Sequence, residues 1–224
     1  MRRFCIVIFL LLLYFAKDSF AQRTDFQTWW AAELEGEAFN LIDFEISPEI
    51  RLTRNSGAVR AIHADFDFSV PVTSFFKAGA RYRIQKKNNL EDYSYIVNRF
   101  GLYGKFDTKI NRLRLDYRFI YQWEYVGINS RVNGNMPYQE HRHKIAASYY
   151  RKRWNLRPQT SMELFFLHKP DFVLKEKKYR FTLGVNYKID KNLFLDLDYK
   201  FQNEFFETNP LKSHLIAAKI TFEL

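Results

Sequence analysis

The sequence predicts an all-β protein, a closed antiparallel transmembrane β-barrel of about ten strands with a polar lumen and an apolar outer band. Three observations predict this class: segments of alternating polarity repeat along the chain, short and long connections alternate between them, and the chain ends on an amphipathic strand. The mean hydropathy is −0.39. After residue 21, no stretch has the roughly 18 consecutive apolar residues that a transmembrane helix needs. Any membrane crossing must therefore be made by strands.

Residues 1–21 have the pattern of a cleaved secretory signal. Two arginines follow Met1, residues 4–15 are apolar, and residues 19–21 (Ser-Phe-Ala) match the small-x-small cleavage motif. We expect the mature chain to be one barrel domain, residues 22–224, beginning at Gln22. An uncleaved anchor is the alternative, but Lys17 interrupts the apolar run early.

The charge of the mature chain limits its partners, and its cysteine content excludes a disulfide. The mature chain would carry 35 − 3 = 32 basic and 25 − 1 = 24 acidic residues, a net charge of +8. The single cysteine, Cys5, lies inside the predicted signal, so the mature chain would have no disulfide. Export argues against a nucleic-acid partner. A basic excess in an exported protein fits anionic lipid head groups, an acidic ligand or a polar lumen.

The alternation is clearest in residues 112–125, where apolar and aromatic side chains occupy every second position and arginines dominate the other face. Ten segments show this pattern: 43–52, 62–70, 76–85, 99–106, 112–125, 141–150, 156–166, 179–189, 193–201 and 216–224. Residues 26–34 look like an eleventh. Because single-chain bacterial barrels have even strand numbers, we predict ten strands with residues 26–34 outside the wall. Twelve strands remain possible if another lies within 126–138.

The connections also alternate in length. Short turns are predicted near residues 73–74, 107–111, 152–155 and 190–192, and longer polar loops near 86–92, 126–138, 168–176 and 203–212. Outer-membrane barrels have short periplasmic turns and longer extracellular loops.

Two features predict that the apolar face points outward. The interior of a barrel of this size is too narrow for several Phe, Tyr, Trp or Leu side chains from every strand. Tyrosines and tryptophans also cluster near strand ends, as in the aromatic girdles of membrane barrels. The predicted girdle residues are Tyr82, Tyr121, Trp123, Tyr125, Tyr149, Trp154, Tyr179, Tyr187 and Tyr199. The alternatives are a soluble β-sandwich and a soluble ligand-binding barrel.

The last strand places Ile220, Phe222 and Leu224 on one face. This ending resembles the terminal signal that directs outer-membrane barrels to their assembly machinery, although Leu stands where Phe is usual. It predicts that machinery and outer-membrane lipids as partners.

Several short aromatic motifs carry a family resemblance. They are Asp25-Phe26-Gln27-Thr28-Trp29-Trp30, Pro48-Glu49-Ile50-Arg51-Leu52, Arg142-His143-Lys144 and Glu163-Leu164-Phe165-Phe166. With these motifs the chain resembles the exported barrel family called domain of unknown function 2490 over nearly all of its mature length. The resemblance implies a barrel in the outer membrane of a Gram-negative bacterium. It implies no activity and no catalytic residues.

The charged faces predict a polar network in the lumen, because buried charges must be paired or solvated. Its predicted members are Asp43, Glu45, Glu49, Arg51, His63, Asp65, Asp67, Lys77, Arg81, Arg83, Arg112, Arg114, Asp116, Arg118, Glu163, Arg180, Asp196, Asp198 and Lys200. The alternative interpretation of these charges is a narrow polar pore or a solute site.

Candidate chemistry is sparse. His63 shares a face with two aspartates, and His141 lies two residues before His143, but neither group has a third ligand that the sequence places nearby. Ser148 and Ser161 have no evident histidine base. The sequence has no glycine-rich phosphate loop, cysteine metal site or nucleophile elbow. We therefore predict no catalytic residue, metal or cofactor.

The predicted role is a structural or interaction protein of the outer membrane whose ligand is unknown. A narrow pore for small solutes or ions is the first alternative. An outer-membrane lipid-modifying enzyme is the second.

Overall fold

A computed structural model describes residues 23–88, 94–126, 138–168, 174–205 and 210–224. The predicted signal, residues 1–21, lies outside them, as do most residues of the long loops. Within the described ranges, no helix is long and apolar enough to cross a membrane.

Eleven strands form one closed barrel in which each strand pairs with its neighbours in sequence. They are β1 (Arg23–Ala38), β2 (Ile42–Thr53), β3 (Ala58–Thr73), β4 (Phe76–Asn88), β5 (Ser94–Ile110), β6 (Leu113–Val126), β7 (Tyr138–Tyr149), β8 (Leu156–His168), β9 (Leu174–Lys188), β10 (Leu193–Glu204) and β11 (Leu211–Glu223). The predicted all-β closed barrel is confirmed, and each of the ten predicted segments lies within or largely overlaps one of the strands β2 to β11.

The predicted strand number was wrong. Residues 26–34 lie within β1, which is a wall strand: Thr28 pairs with Leu52 of β2 and with Ile216 of β11. An up-and-down barrel with an odd number of strands has its first and last strands running in the same direction. The β1–β11 seam is accordingly parallel, while every other pair is antiparallel. The even-number rule assumes antiparallel closure, which this chain does not use.

The two ends of the barrel have different connections between strands. The short-turn end has the β1–β2, β3–β4, β5–β6, β7–β8 and β9–β10 connections and the end of β11. The long-loop end has the beginning of β1, the turn 54–57, and the connections that include residues 89–93, 127–137, 169–173 and 206–209. The β7–β8 connection, residues 150–155, has six residues, whereas 89–93 and 169–173 have five each. The predicted alternation of loop length therefore fails at 54–57 and at 150–155.

Hydrogen bonds attach that turn to β1. Arg54, Asn55 and Ser56 have φ angles of 54°, 54° and 63°, a left-handed conformation that costs energy for residues with a Cβ. The Asp25 carboxylate accepts hydrogen bonds from Asn55 N at 3.0 Å and from Thr53 Oγ1 at 2.5 Å. These contacts help to offset that cost, and they join the first strand to the long-loop rim.

Candidate functional site

The lumen is the site that the fold builds, since polar side chains from all eleven strands point into it. Along the strands, buried polar side chains alternate with exposed apolar ones. The inner face contains Asp43, Glu45, Glu49, Arg51, His63, Asp65, Asp67, Lys77, Arg81, Arg83, Arg114, Asp116, Arg118, Glu163, Arg180, Asp196, Asp198 and Lys200. Arg112 is a correction: it lies exposed in the turn after β5, and its guanidinium faces the Tyr149 hydroxyl instead of the lumen.

Cross-strand ion pairs fill part of this interior. Asp65 lies directly opposite Arg83 in the β3–β4 register, and the guanidinium donates two hydrogen bonds of 2.5 Å to its carboxylate. Arg81 pairs with Asp67 two residues further along, but there both guanidinium nitrogens contact one carboxylate oxygen, Oδ2. Ion pairs of this kind satisfy buried charges that would otherwise be costly to desolvate.

A second ion-paired group lies on the opposite wall. The Glu163 carboxylate accepts hydrogen bonds from Arg142 Nε at 3.0 Å and Nη2 at 2.6 Å. Arg180 Nη1 is 3.4 Å from the other carboxylate oxygen. Glu163 is thus the common acceptor for two buried guanidinium groups.

Trp29 and Phe165 also point inward, which was not predicted from the sequence. The guanidinium carbon of Arg51 is 3.9 Å from the centre of the Trp29 ring, and that of Arg180 is 4.9 Å away. Arg180 also lies 5.1 Å from the Phe165 ring, and Arg142 lies 4.8 Å from it. This cation–π stack crosses the lumen from β2 to β7 in the half nearer the long loops. Trp29 lies on the same face of β1 as Gln27 and Glu33, because residues at every second position of a strand share a face. This spacing could have revealed that Trp29 points inward.

Nearer the short-turn end, charges of opposite sign form two separate rows. The β-sheet register aligns Glu223, Glu35, Glu45 and Asp67 across β11, β1, β2 and β3. It aligns Lys77, Lys105, Arg118 and Lys144 across β4 to β7. We call these the acidic row and the basic row.

One cavity opens between the rows, and a second lies beside the basic row. A cavity of about 470 Å³ touches both rows, and a second of about 220 Å³ lies on the side of the basic row. Lys105 and Arg118 line both cavities. Open space therefore remains in the lumen at this end.

Carboxylates of Glu33, Glu35 and Glu45 approach within 4.8 Å of one another. Lys219 forms an ion pair with Glu33, and Thr221 donates a 3.0 Å hydrogen bond to the same carboxylate. A protein cation therefore already compensates part of the charge of this cluster.

The histidine and serine candidates do not form a catalytic arrangement. His63 Nε2 is 3.5 Å from Glu49, while the aspartates near it are held by arginines. His141 and His143 lie on the outer face of β7, where His143 Nδ1 is 2.8 Å from the Tyr117 hydroxyl. Ser148 and Ser161 face the lumen. Since the barrel wall separates them, neither His141 nor His143 can serve either serine as a base.

The predicted girdle residues of the strands lie on the outer face of the barrel. Trp123, Tyr125 and Tyr179 lie toward the long-loop end, and Tyr149, Trp154 and Tyr187 toward the short-turn end. Tyr82, Tyr121 and Tyr199 lie nearer the middle of their strands, where their hydroxyls hydrogen-bond Asn98, Gln139 and His214. The terminal residues Ile220, Phe222 and Leu224 are exposed on the same outer face.

Comparison with solved structures identifies the class of fold. The NanC porin aligns with a TM-score of 0.51 and 12% identity over 79% of this chain and 86% of its own. This likeness shows a shared porin-type β-barrel fold.

The KdgM porin aligns with a TM-score of 0.43 and 12% identity over 80% of this chain and 91% of its own. Outer-membrane-expressed OmpT of Vibrio cholerae aligns at 0.40 and 10% identity over 73% of this chain and 53% of its own. No family model and no curated protein matches the chain. The resemblance to domain of unknown function 2490 stays a prediction.

Proposed function

We propose that this chain is an integral protein of the Gram-negative outer membrane with a structural or interaction role. The observation that carries the proposal is an apolar outer band around the whole barrel. Leu102, Ile145, Leu183 and Ile220, on β5, β7, β9 and β11, are each at least half exposed. An exposed apolar belt of this extent is unfavourable in water and favourable in lipid.

The strand lengths suit a bilayer. The shortest strands have 12 residues. At about 3.4 Å per residue they extend about 40 Å, and at a tilt of roughly 40° they span about 30 Å. This exceeds the apolar band of about 25 Å that outer-membrane barrels present.

The filled interior favours a structural or interaction role over an open channel. Ion pairs and the Arg51–Trp29–Arg180–Phe165 stack occupy the lumen in the half nearer the long loops. In this proposal, residues 1–21 direct export, the terminal strand directs assembly, and the loops around 126–138, 168–176 and 203–212 present the interaction surface.

Membrane fractionation tests the proposal directly. The full chain is expressed in a Gram-negative host, and unheated and boiled samples of the outer membrane are compared on a detergent gel. We expect recovery in that membrane, heat-modifiable migration and a mature chain beginning at Gln22. Recovery from the periplasm without detergent would exclude the membrane assignment, and an uncleaved chain would exclude only the signal assignment.

A narrow pore for small solutes or ions is the second candidate. The two cavities and the opposed charge rows favour it, because a polar passage with both signs of charge can accept ions at the short-turn end. Planar-bilayer recording separates the candidates. A barrel closed by the stack gives no conductance steps, whereas discrete steps from the wild-type protein would replace the filled-lumen proposal with a pore.

A further inference from the structure

Three members of the basic row lie side by side on adjacent strands. Lys105 is directly opposite Arg118 in the β5–β6 register, and Arg118 is directly opposite Lys144 in the β6–β7 register. Directly opposed residues of antiparallel strands bring their Cβ atoms to about 5 Å, where like charges repel. Such a row is unfavourable unless an anion neutralises it.

The protein neutralises these three cations only in part: Asp116 and Asp198 line the same cavity, and Glu163 lies directly opposite Lys144 in the β7–β8 register. Among the described residues, Arg118 and Lys144 make no hydrogen bond or ion pair, and the ammonium of Lys105 is 3.9 Å from Asp116. The carboxylates nearby have other partners: Glu163 binds Arg142 and Arg180, and Asp198 binds Lys200 at 3.3 Å. Close ion pairs like those seen elsewhere in the lumen are therefore missing at Lys105, Arg118 and Lys144, although Lys77 at the end of the row pairs with Asp43.

These three cations line the smaller cavity. Its volume of about 220 Å³ equals the bulk volume of about seven water molecules, enough for a small hydrated anion. Ser148 and Ser161 line the same cavity. Serine hydroxyls, a guanidinium group and two ammonium groups are all hydrogen-bond donors. Together they suit the oxygens of a phosphate, sulfate or carboxylate.

We propose that this cavity binds a small oxyanion, held by Arg118 and Lys144 with Lys105 at its edge. The Arg118 guanidinium can donate two parallel hydrogen bonds to two ligand oxygens, and Lys144 supplies a second positive charge directly beside it. The anion would relieve the repulsion along the row. The acidic row across the neighbouring cavity would keep anions on the basic side.

The site does not require an open pore, because the cavity lies at the short-turn end of the stack. Its test also does not depend on cellular location. Purified, folded barrel in zwitterionic detergent is titrated with inorganic phosphate by calorimetry, and heat-modifiable migration verifies the fold of every variant.

We expect saturable binding of one phosphate per chain. Arg118→Gln and Lys144→Gln should each weaken binding by about tenfold or more, the effect of losing one charge-assisted contact. Lys87→Gln is the matched control. Its ammonium pairs with Glu124 at 2.7 Å near the long-loop end, so it removes the same charge from the lumen without touching the cavity. The phosphate affinity of Lys87→Gln should stay within about twofold of the wild-type affinity, since only the long-range electrostatic field at the cavity changes.

If Arg118→Gln or Lys144→Gln fails to fold, Ser161→Ala still tests the proposal, because it leaves every charge in place. We expect it to weaken phosphate binding by about threefold to tenfold, the effect of losing one neutral hydrogen bond. The proposal is overturned if the wild type shows no saturable phosphate binding. It is also overturned if Lys87→Gln weakens binding as much as the cavity variants, because non-specific attraction by the net charge would then explain the result.

Discussion

Glu163→Gln is the change that tests most directly how the lumen is stabilised. The Glu163 side chain is 6% exposed, and those of its partners Arg142 and Arg180 are 10% and 13% exposed. The substitution keeps the shape of the side chain but leaves two buried guanidinium charges without a counter-ion. Removing one partner of a buried ion pair costs about 3–5 kcal/mol. We expect the lower end, about 3 kcal/mol, because the glutamine carbonyl still accepts one hydrogen bond.

Asp43→Asn is the matched control. Asp43 pairs with Lys77 on the same lumen face, but their side chains are 38% and 36% exposed at the short-turn end. An ion pair this accessible to water contributes about 0.2–1 kcal/mol. The two variants therefore remove the same chemical group and differ in burial.

Reversible urea unfolding in phospholipid vesicles, followed by tryptophan fluorescence, gives the free energy of unfolding of each variant. Arg142→Gln should lower the free energy of unfolding less in the Glu163→Gln background than in the wild type, because it then removes one of the uncompensated charges. Equal losses of stability for Glu163→Gln and Asp43→Asn would refute the argument that buried ion pairs hold the lumen together.

Three further predictions concern the outer band, the crowded lumen and the seam. Leu102 is an outward-facing residue near the middle of β5, and Leu102→Arg should lower the free energy of unfolding in vesicles by about 2–4 kcal/mol. Leu102→Ala should lower it much less. Equal losses for the two variants would argue against lipid contact. Gly184→Ala should destabilise by about 1–3 kcal/mol, because a Cβ there would lie 2.8 Å from a backbone carbonyl oxygen, whereas Gly101→Ala has no contact closer than 3.3 Å. Unfolding midpoints compare the two. Thr28→Cys with Ile216→Cys should form a disulfide across the parallel seam, and a persistently reduced folded protein would contradict the eleven-strand closure.

Much of the wall could be predicted from sequence because strand polarity is a local property. Successive side chains point to opposite faces, so an alternating segment such as β6 shows both its conformation and its two surfaces. A closed barrel with charges inside follows once the apolar faces are too bulky for the interior. The inner position of Arg118 and the outer position of Tyr117 required no long-range information.

The strand number and the lumen contacts were decided only by the tertiary structure. Whether β1 joins the wall depends on its pairing with β11, nearly two hundred residues away, and alternation within β1 cannot specify that partner. The row formed by Lys105, Arg118 and Lys144 likewise depends on the register of three strands. Sequence determines the face on which a charge lies, whereas closure and register determine which charge lies beside it, because those contacts join residues that are distant along the chain.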